Sequence, residues 1–137
     1  MADPRAFLSF DFDHNVDEKV LFAGQASTDS PTPFTIQDWS SKSSLPQAQW
    51  EEIVAGKIGK CNLLIVLVGK NMASATGVAK EIQFANNADV PFFGVYVGGA
   101  NTLSNLPAGL ARSLTIAWTW DGIADMVDQM MGEGKNA

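Results

Sequence analysis

One glutamate sits where a purely solvated side chain would be out of place. In the segment 76–87 (TGVAKEIQFANN) the residues Val78, Ile82 and Ala85 recur at helical spacing and form one apolar stripe. Around the helical wheel Glu81 falls between that stripe and Phe84, with Gly77 and Ala88 as small neighbours. Lys80 and Gln83 occupy the side where a solvated acid would sit more comfortably. A carboxylate at the edge of apolar surface is partly desolvated, which raises its pKa and suits it to chemistry. Position alone favours a plainer alternative, a rim glutamate that snorkels to water or pairs with a lysine.

Other candidate groups are weaker. Asp11, Asp13, His14, Asp17 and Glu18 cluster after the first apolar run. Three of these aspartates have the oxygen chemistry for a hard cation such as Mg²⁺. Acids in the first turn of a helix account for them more simply, so no metal site is assigned. One histidine and one cysteine cannot build a Ser–His–Asp or Cys–His centre. Cys61 reads as a buried structural thiol. Lys70 reads equally as an anion contact and as a solvated loop lysine. Trp39 lies in a polar stretch (QDWSSKSS) where no periodicity forces burial, and suits stacking or partner anchoring. Trp50 falls on an apolar helical stripe and reads as core, whereas Trp118 and Trp120 read as core or cover.

The elements that must carry these groups follow from the pattern. Residues 63–68 (LLIVLV) are apolar without alternation, as in a strand buried on both faces. Gly69 ends the run, and residues 70–76 form a loop before the glutamate's helix. A first strand is expected at 6–12 (AFLSFDF), followed by a helix capped by Asp13 or Asn15 that buries Val16, Val20, Leu21 and Ala23. A short edge strand is expected at 34–36, behind two prolines. Ser44, Pro46 and Gln47 signal a second helix that buries Trp50, Ile53, Val54 and Ile58 and closes at Gly59. Residues 91–97 (PFFGVYV) and 112–118 give the fourth and fifth strands. A last helix starts at Thr119 or Asp121 and turns Ile123, Met126, Val127 and Met130 inward. The tail after residue 131 is expected to be disordered.

Five strand–helix units imply a parallel sheet with helices on both faces. The expected fold is flavodoxin-like, with order 2-1-3-4-5 and a topological switch point between the first and third strands, where ligands bind. At 137 residues the chain reads as one domain with an ordered core of about 5–131. A net charge of −6 argues against nucleic acid and anionic membranes as partners. The longest apolar run is too short to span a bilayer, no secretory pattern opens the chain, and a lone cysteine suits a reducing cytoplasm. Carboxylates after the first strand would repel an FMN phosphate. Val68, Gly69 and Lys70 stand where a phospho-receiver needs its aspartate.

Four segments together resemble a TIR-type domain: AFLSFDFD, FTIQDWSS, CNLLIVLVG and GVAKEIQFA. The chain is similar, over residues 5–130 or so, to the small bacterial TIR-like family that includes the NAD-processing proteins of the Thoeris anti-phage system. No single motif decides this; the order and spacing do. The resemblance implies cleavage of the nicotinamide–ribose bond of NAD⁺, as substrate rather than cofactor. The products implied are nicotinamide and ADP-ribose, or a cyclic ADP-ribose signal for a separate effector protein. The family's essential glutamate, in a K-E-I context, falls on Glu81 within Lys80-Glu81-Ile82, and this reverses the preference left by position alone. Substrate-side contacts are then expected from Phe10 and Asp11, from Asp38 and Trp39, from Gly69 and from Lys80. The loop carrying Trp39 is expected to pack on a neighbouring subunit, so activity would need self-association. The chain departs from the animal-type pattern at Ala75, Thr76 and Gly77, where a Trp or Cys is common. Many TIR domains turn nothing over, and a scaffold acting by self-association is the alternative.

Overall fold

A computed structural model of the chain describes residues 4–11, 14–26, 28–31, 34–40, 46–72 and 75–132. The elements alternate: β1 (Arg5–Ser9), α1 (Val16–Ala26), β2 (Thr35–Trp39), α2 (Gln47–Gly59), β3 (Leu63–Val68), α3 (Thr76–Asn87), β4 (Phe92–Tyr96), β5 (Thr115–Ile116) and α4 (Trp120–Gly132). The sheet is parallel, in the order β2-β1-β3-β4-β5 that the alternation predicts. β3 lies at its centre and coincides with the apolar run, all six residues fully buried.

Two cores result, one on each face. Leu63, Ile65 and Leu67 of β3 join Ala6, Leu8 and Phe10 against Phe22 and Ala26 of α1 and Ile123, Val127 and Met130 of α4. Leu64, Val66 and Val68 join Phe7 against Val54 and Ile58 of α2 and Val78, Ile82 and Ala85 of α3. Strand side chains alternate between faces, so Ser9, two residues beyond Phe7, faces the α2–α3 layer.

Several expectations need correction. Val16, Val20 and Leu21 of α1 are 39%, 59% and 56% exposed, and Phe22 and Ala26 form the buried face instead. Two stripes compete on this helix, and the one with the large ring wins. Phe22 packs 6.2 Å from Phe34, 5.6 Å from Trp118 and 5.0 Å from Trp120, centroid to centroid. A fully buried phenylalanine removes more apolar area from water than the valines of the other stripe. Ile53 of α2 is likewise 47% exposed, and Trp50 only packs against the core margin. The fifth strand shrinks to two residues because a 3-10 turn at Arg112–Leu114 precedes it. The proposed caps Asp13 and Ser44 and the tail beyond residue 132 lie outside the described residues; Asn15 does stand immediately before α1.

β2 is an edge strand, as the prolines suggest, but it runs on to Trp39. Its register against β1 slips once: Ala6 pairs with Ile36, whereas Phe7 pairs with Asp38 and Leu8 with Trp39. Gln37 is the extra residue of this bulge, and a bulge re-aims every side chain after it. Asp38 therefore faces the α2–α3 side with Phe7, and Trp39 faces the α1–α4 side with Leu8.

At the carboxyl end of β3, Gly69 is buried against the amide of Asn15. A Cβ at residue 69 would overlap Asn15 Oδ1 and lie 2.8 Å from Nδ2 and 2.9 Å from Cγ. Gly69→Ala is expected to cost about 1–3 kcal/mol, the usual penalty of overpacking. A lowered urea midpoint with an unchanged m-value would report it.

Candidate active site at the carboxyl ends of β1 and β2

Glu81 occupies the sixth position of α3 and is only 1% exposed. The wheel places it at a rim; the structure carries it further in, over the end of β1. Its Oε1 accepts two hydroxyl hydrogen bonds, from Ser9 Oγ at 2.7 Å and from Ser40 Oγ at 2.5 Å. Ser9 is the last residue of β1 and Ser40 follows β2 directly, so the carboxyl group ties α3 to two strand ends. Ser40 is itself held: its N–H donates to Leu8 O at 3.0 Å, and its hydroxyl accepts from the Phe10 N–H at 3.1 Å. Glu81 Oε2 is buried and has no hydrogen-bond partner among the described residues.

Burial without a counter-ion is costly for a carboxylate. Desolvation pushes the Glu81 pKa up to about 7, and the hydrogen bonds from Ser40 and Ser9 pull in the opposite direction. Desolvation wins because two neutral hydroxyls replace only part of a hydration shell. The group thus sits near the middle of its titration at neutral pH, where a proton-handling side chain works best, while a charge-stabilising role would use its ionised fraction.

The other expected site residues are spread around this point. Asp11 is 8% exposed and its Oδ2 lies 2.7 Å from His14 Nδ1. The Phe10 ring is buried in the α1–α4 core, and only its backbone reaches the serine network. Gly69 ends β3 beside Asn15. Asp38 accepts from the Trp39 N–H at 3.0 Å and lies 3.6 Å from Lys57 Nζ of α2. Lys80 Nζ lies 3.2 Å from Glu51 on α2. Trp39 is 42% exposed, on the opposite face of the sheet from Glu81, with Lys19 Nζ 3.8 Å above its ring. Within one chain, then, Trp39 and Lys80 do not join the glutamate. Cys61 is a buried thiol, as expected. Its pKa rises to about 11, mainly through burial, with Asp38 adding to the rise and Arg5 opposing it. Among the described residues no three His, Cys, Asp or Glu side chains converge as a metal site would require.

Sequence reasoning misses Ser9 and Ser40. Ser9 is a polar interruption in an otherwise apolar strand, and that break in AFLSF is the one signal that marks it. Ser40 carries no such signal, because its importance comes from a contact 41 residues away.

A family model for the Thoeris protein ThsB, TIR-like domain, matches residues 7–102 of this chain. The chain belongs to that family. The match runs from within β1 to beyond β4 and covers all three residues of the Glu81–Ser9–Ser40 network. A TIR-like domain of this family belongs to anti-phage defence in general terms, and the five-stranded parallel sheet is consistent with it. No curated protein sequence matches the chain. No helix among the described residues is long and apolar enough to cross a membrane.

Proposed function

We propose that this TIR-like domain cleaves the nicotinamide–ribose bond of NAD⁺ in anti-phage defence, in the cytoplasm, with Glu81 as the catalytic residue. The observation that carries the proposal is a buried carboxyl with one oxygen anchored by two serines and the other without a hydrogen-bond partner among the described residues. Loss of nicotinamide leaves an oxocarbenium-like ribosyl centre, as in glycoside hydrolysis. An anchored carboxylate can accept hydrogen bonds from the ribose hydroxyls and stabilise the positive charge as it develops. Nicotinamide departs as a neutral molecule from a cationic substrate, so no general acid is required. A single carboxylate suffices for that reason.

Water attack on the ribosyl centre gives ADP-ribose. Where water is excluded, an adenine nitrogen or a ribose hydroxyl of the same molecule closes a cyclic ADP-ribose instead. The burial of Glu81 favours the water-poor route. The product would act as a signal for a separate effector protein.

The test is to incubate concentrated protein with NAD⁺, alone and with phage-infected lysate, and to follow nicotinamide and the mass of the second product. Release of nicotinamide supports the proposal. No release under either condition supports a second reading, a scaffold in which the buried Glu81 carboxyl simply joins α3 to the ends of β1 and β2. Its near-complete burial is the observation that favours this reading.

Self-association belongs to both. The exposed apolar side chains of α1, Val16, Val20 and Leu21, together with Trp39, support it. Trp39→Ala is expected to cost the fold only about 0.5–1 kcal/mol, through the lost Lys19 contact. It should shift sedimentation towards the monomer at concentrations where the wild type associates.

A further inference from the structure

The serine network has a directional consequence. A serine hydroxyl has one proton to donate. At Ser40 the acceptor side is taken by the Phe10 N–H at 3.1 Å, which leaves its proton aimed at Glu81 Oε1, 2.5 Å away. At Ser9, fully buried on β1, the proton goes to the same oxygen at 2.7 Å. Both donors therefore converge on Oε1, and no described residue bonds the buried Oε2. Ser40 is 6% exposed, so water has little access to compete for these bonds.

We propose that Ser40 and Ser9 are positioning residues that saturate Glu81 Oε1, hold the carboxylate plane fixed and leave Oε2 as the oxygen offered to the substrate ribose. This rests on the NAD⁺-cleaving reading above. The anchor also matters for the charge state. Hydrogen bonds to the ionised form favour it, and these two are what oppose desolvation at Glu81. Three carboxylates on the surrounding elements already have partners, whereas the buried Tyr96 hydroxyl of β4 has none among the described residues. Asp11 lies beside His14 after β1, Asp38 beside Lys57 between β2 and α2, and Glu51 beside Lys80 between α2 and α3. Cys61, ahead of β3, gives its thiol proton to Lys57 O.

The experiment is steady-state NAD⁺ cleavage across pH by wild type, Ser40→Ala, Ser40→Thr, Ser9→Ala and Glu81→Gln, each checked for folding by circular dichroism. Ser40→Ala is expected to lower kcat about 10-fold with little change in KM, a loss in keeping with slight misplacement of a catalytic group. Its pH–rate midpoint should move upward, because one bond to the ionised form is gone. Ser40→Thr keeps a hydroxyl and should restore both values. Ser9→Ala should act in the same direction and leaves the Phe10–Ser40 bond in place, so it carries the test should Ser40→Ala not fold. An active wild type whose folded serine-to-alanine variants keep its kcat and pH midpoint overturns the positioning role alone. A wild type that releases no nicotinamide overturns the enzymatic reading and the positioning role with it.

Discussion

Glu81→Gln is expected to reduce nicotinamide release by about 10²–10³-fold, the loss typical when a preorganised stabiliser of transition-state charge is removed. The substitution is nearly isosteric. The glutamine carbonyl can still accept from Ser9 and Ser40, so the local fold has every reason to persist. On the proposed mechanism, what disappears is the negative charge that stabilises the ribosyl centre. KM should change little, since the interaction is made chiefly in the transition state. Wild-type kcat/KM should rise with pH through about 7, as the carboxyl ionises, and then level off. A glutamine variant with wild-type turnover would remove Glu81 from the mechanism.

The same variant is expected to be more stable than wild type in alkaline solution. Folded Glu81 keeps its proton to about pH 7, against an ordinary value of 4.5. Between those values the folded state binds one proton more than the unfolded chain, so stability falls as pH rises through the window. The favourable contribution is fully present below 4.5 and gone above about 7. The difference corresponds to a penalty on the order of 3 kcal/mol for keeping the ionised group buried. Glutamine carries no such charge. Subtracting the variant's urea-derived stability from that of wild type at pH 4.5, 6 and 8 cancels every other titrating group. The two proteins should be close at the acid end, and the variant should lead at pH 8. A difference that stays flat with pH would mean that Glu81 is not desolvated. Gain of stability with loss of turnover is the usual sign of a residue kept for chemistry at the expense of the fold.

How far the chain can be read without coordinates depends on how local each signal is. β3 is legible because six consecutive apolar residues leave no polar face to misassign. The sheet order follows from that alternation and from handedness rules that act on whole elements. Glu81 is legible because its oddness is measured against neighbours one helical turn away. α1 misleads because two apolar stripes are available, and the choice between them is made by Phe34, Trp118 and Trp120, remote in sequence. The serines are illegible for the same reason: Ser9 and Ser40 lie 72 and 41 residues from the glutamate they bind. Trp39 defeats pattern reading differently, since its facing depends on a single slipped residue in an edge strand.

That slip at Gln37 works like a change of phase along β2. It sends the Trp39 indole to the α1 side of the sheet and Asp38 to the α2–α3 side, where Glu81 lies. A neighbour that clasps Trp39 approaches from the α1 side and leaves the α2–α3 side unobstructed. Within one chain, an interface built on Trp39 and the Glu81 carboxyl would therefore lie on opposite faces of the sheet.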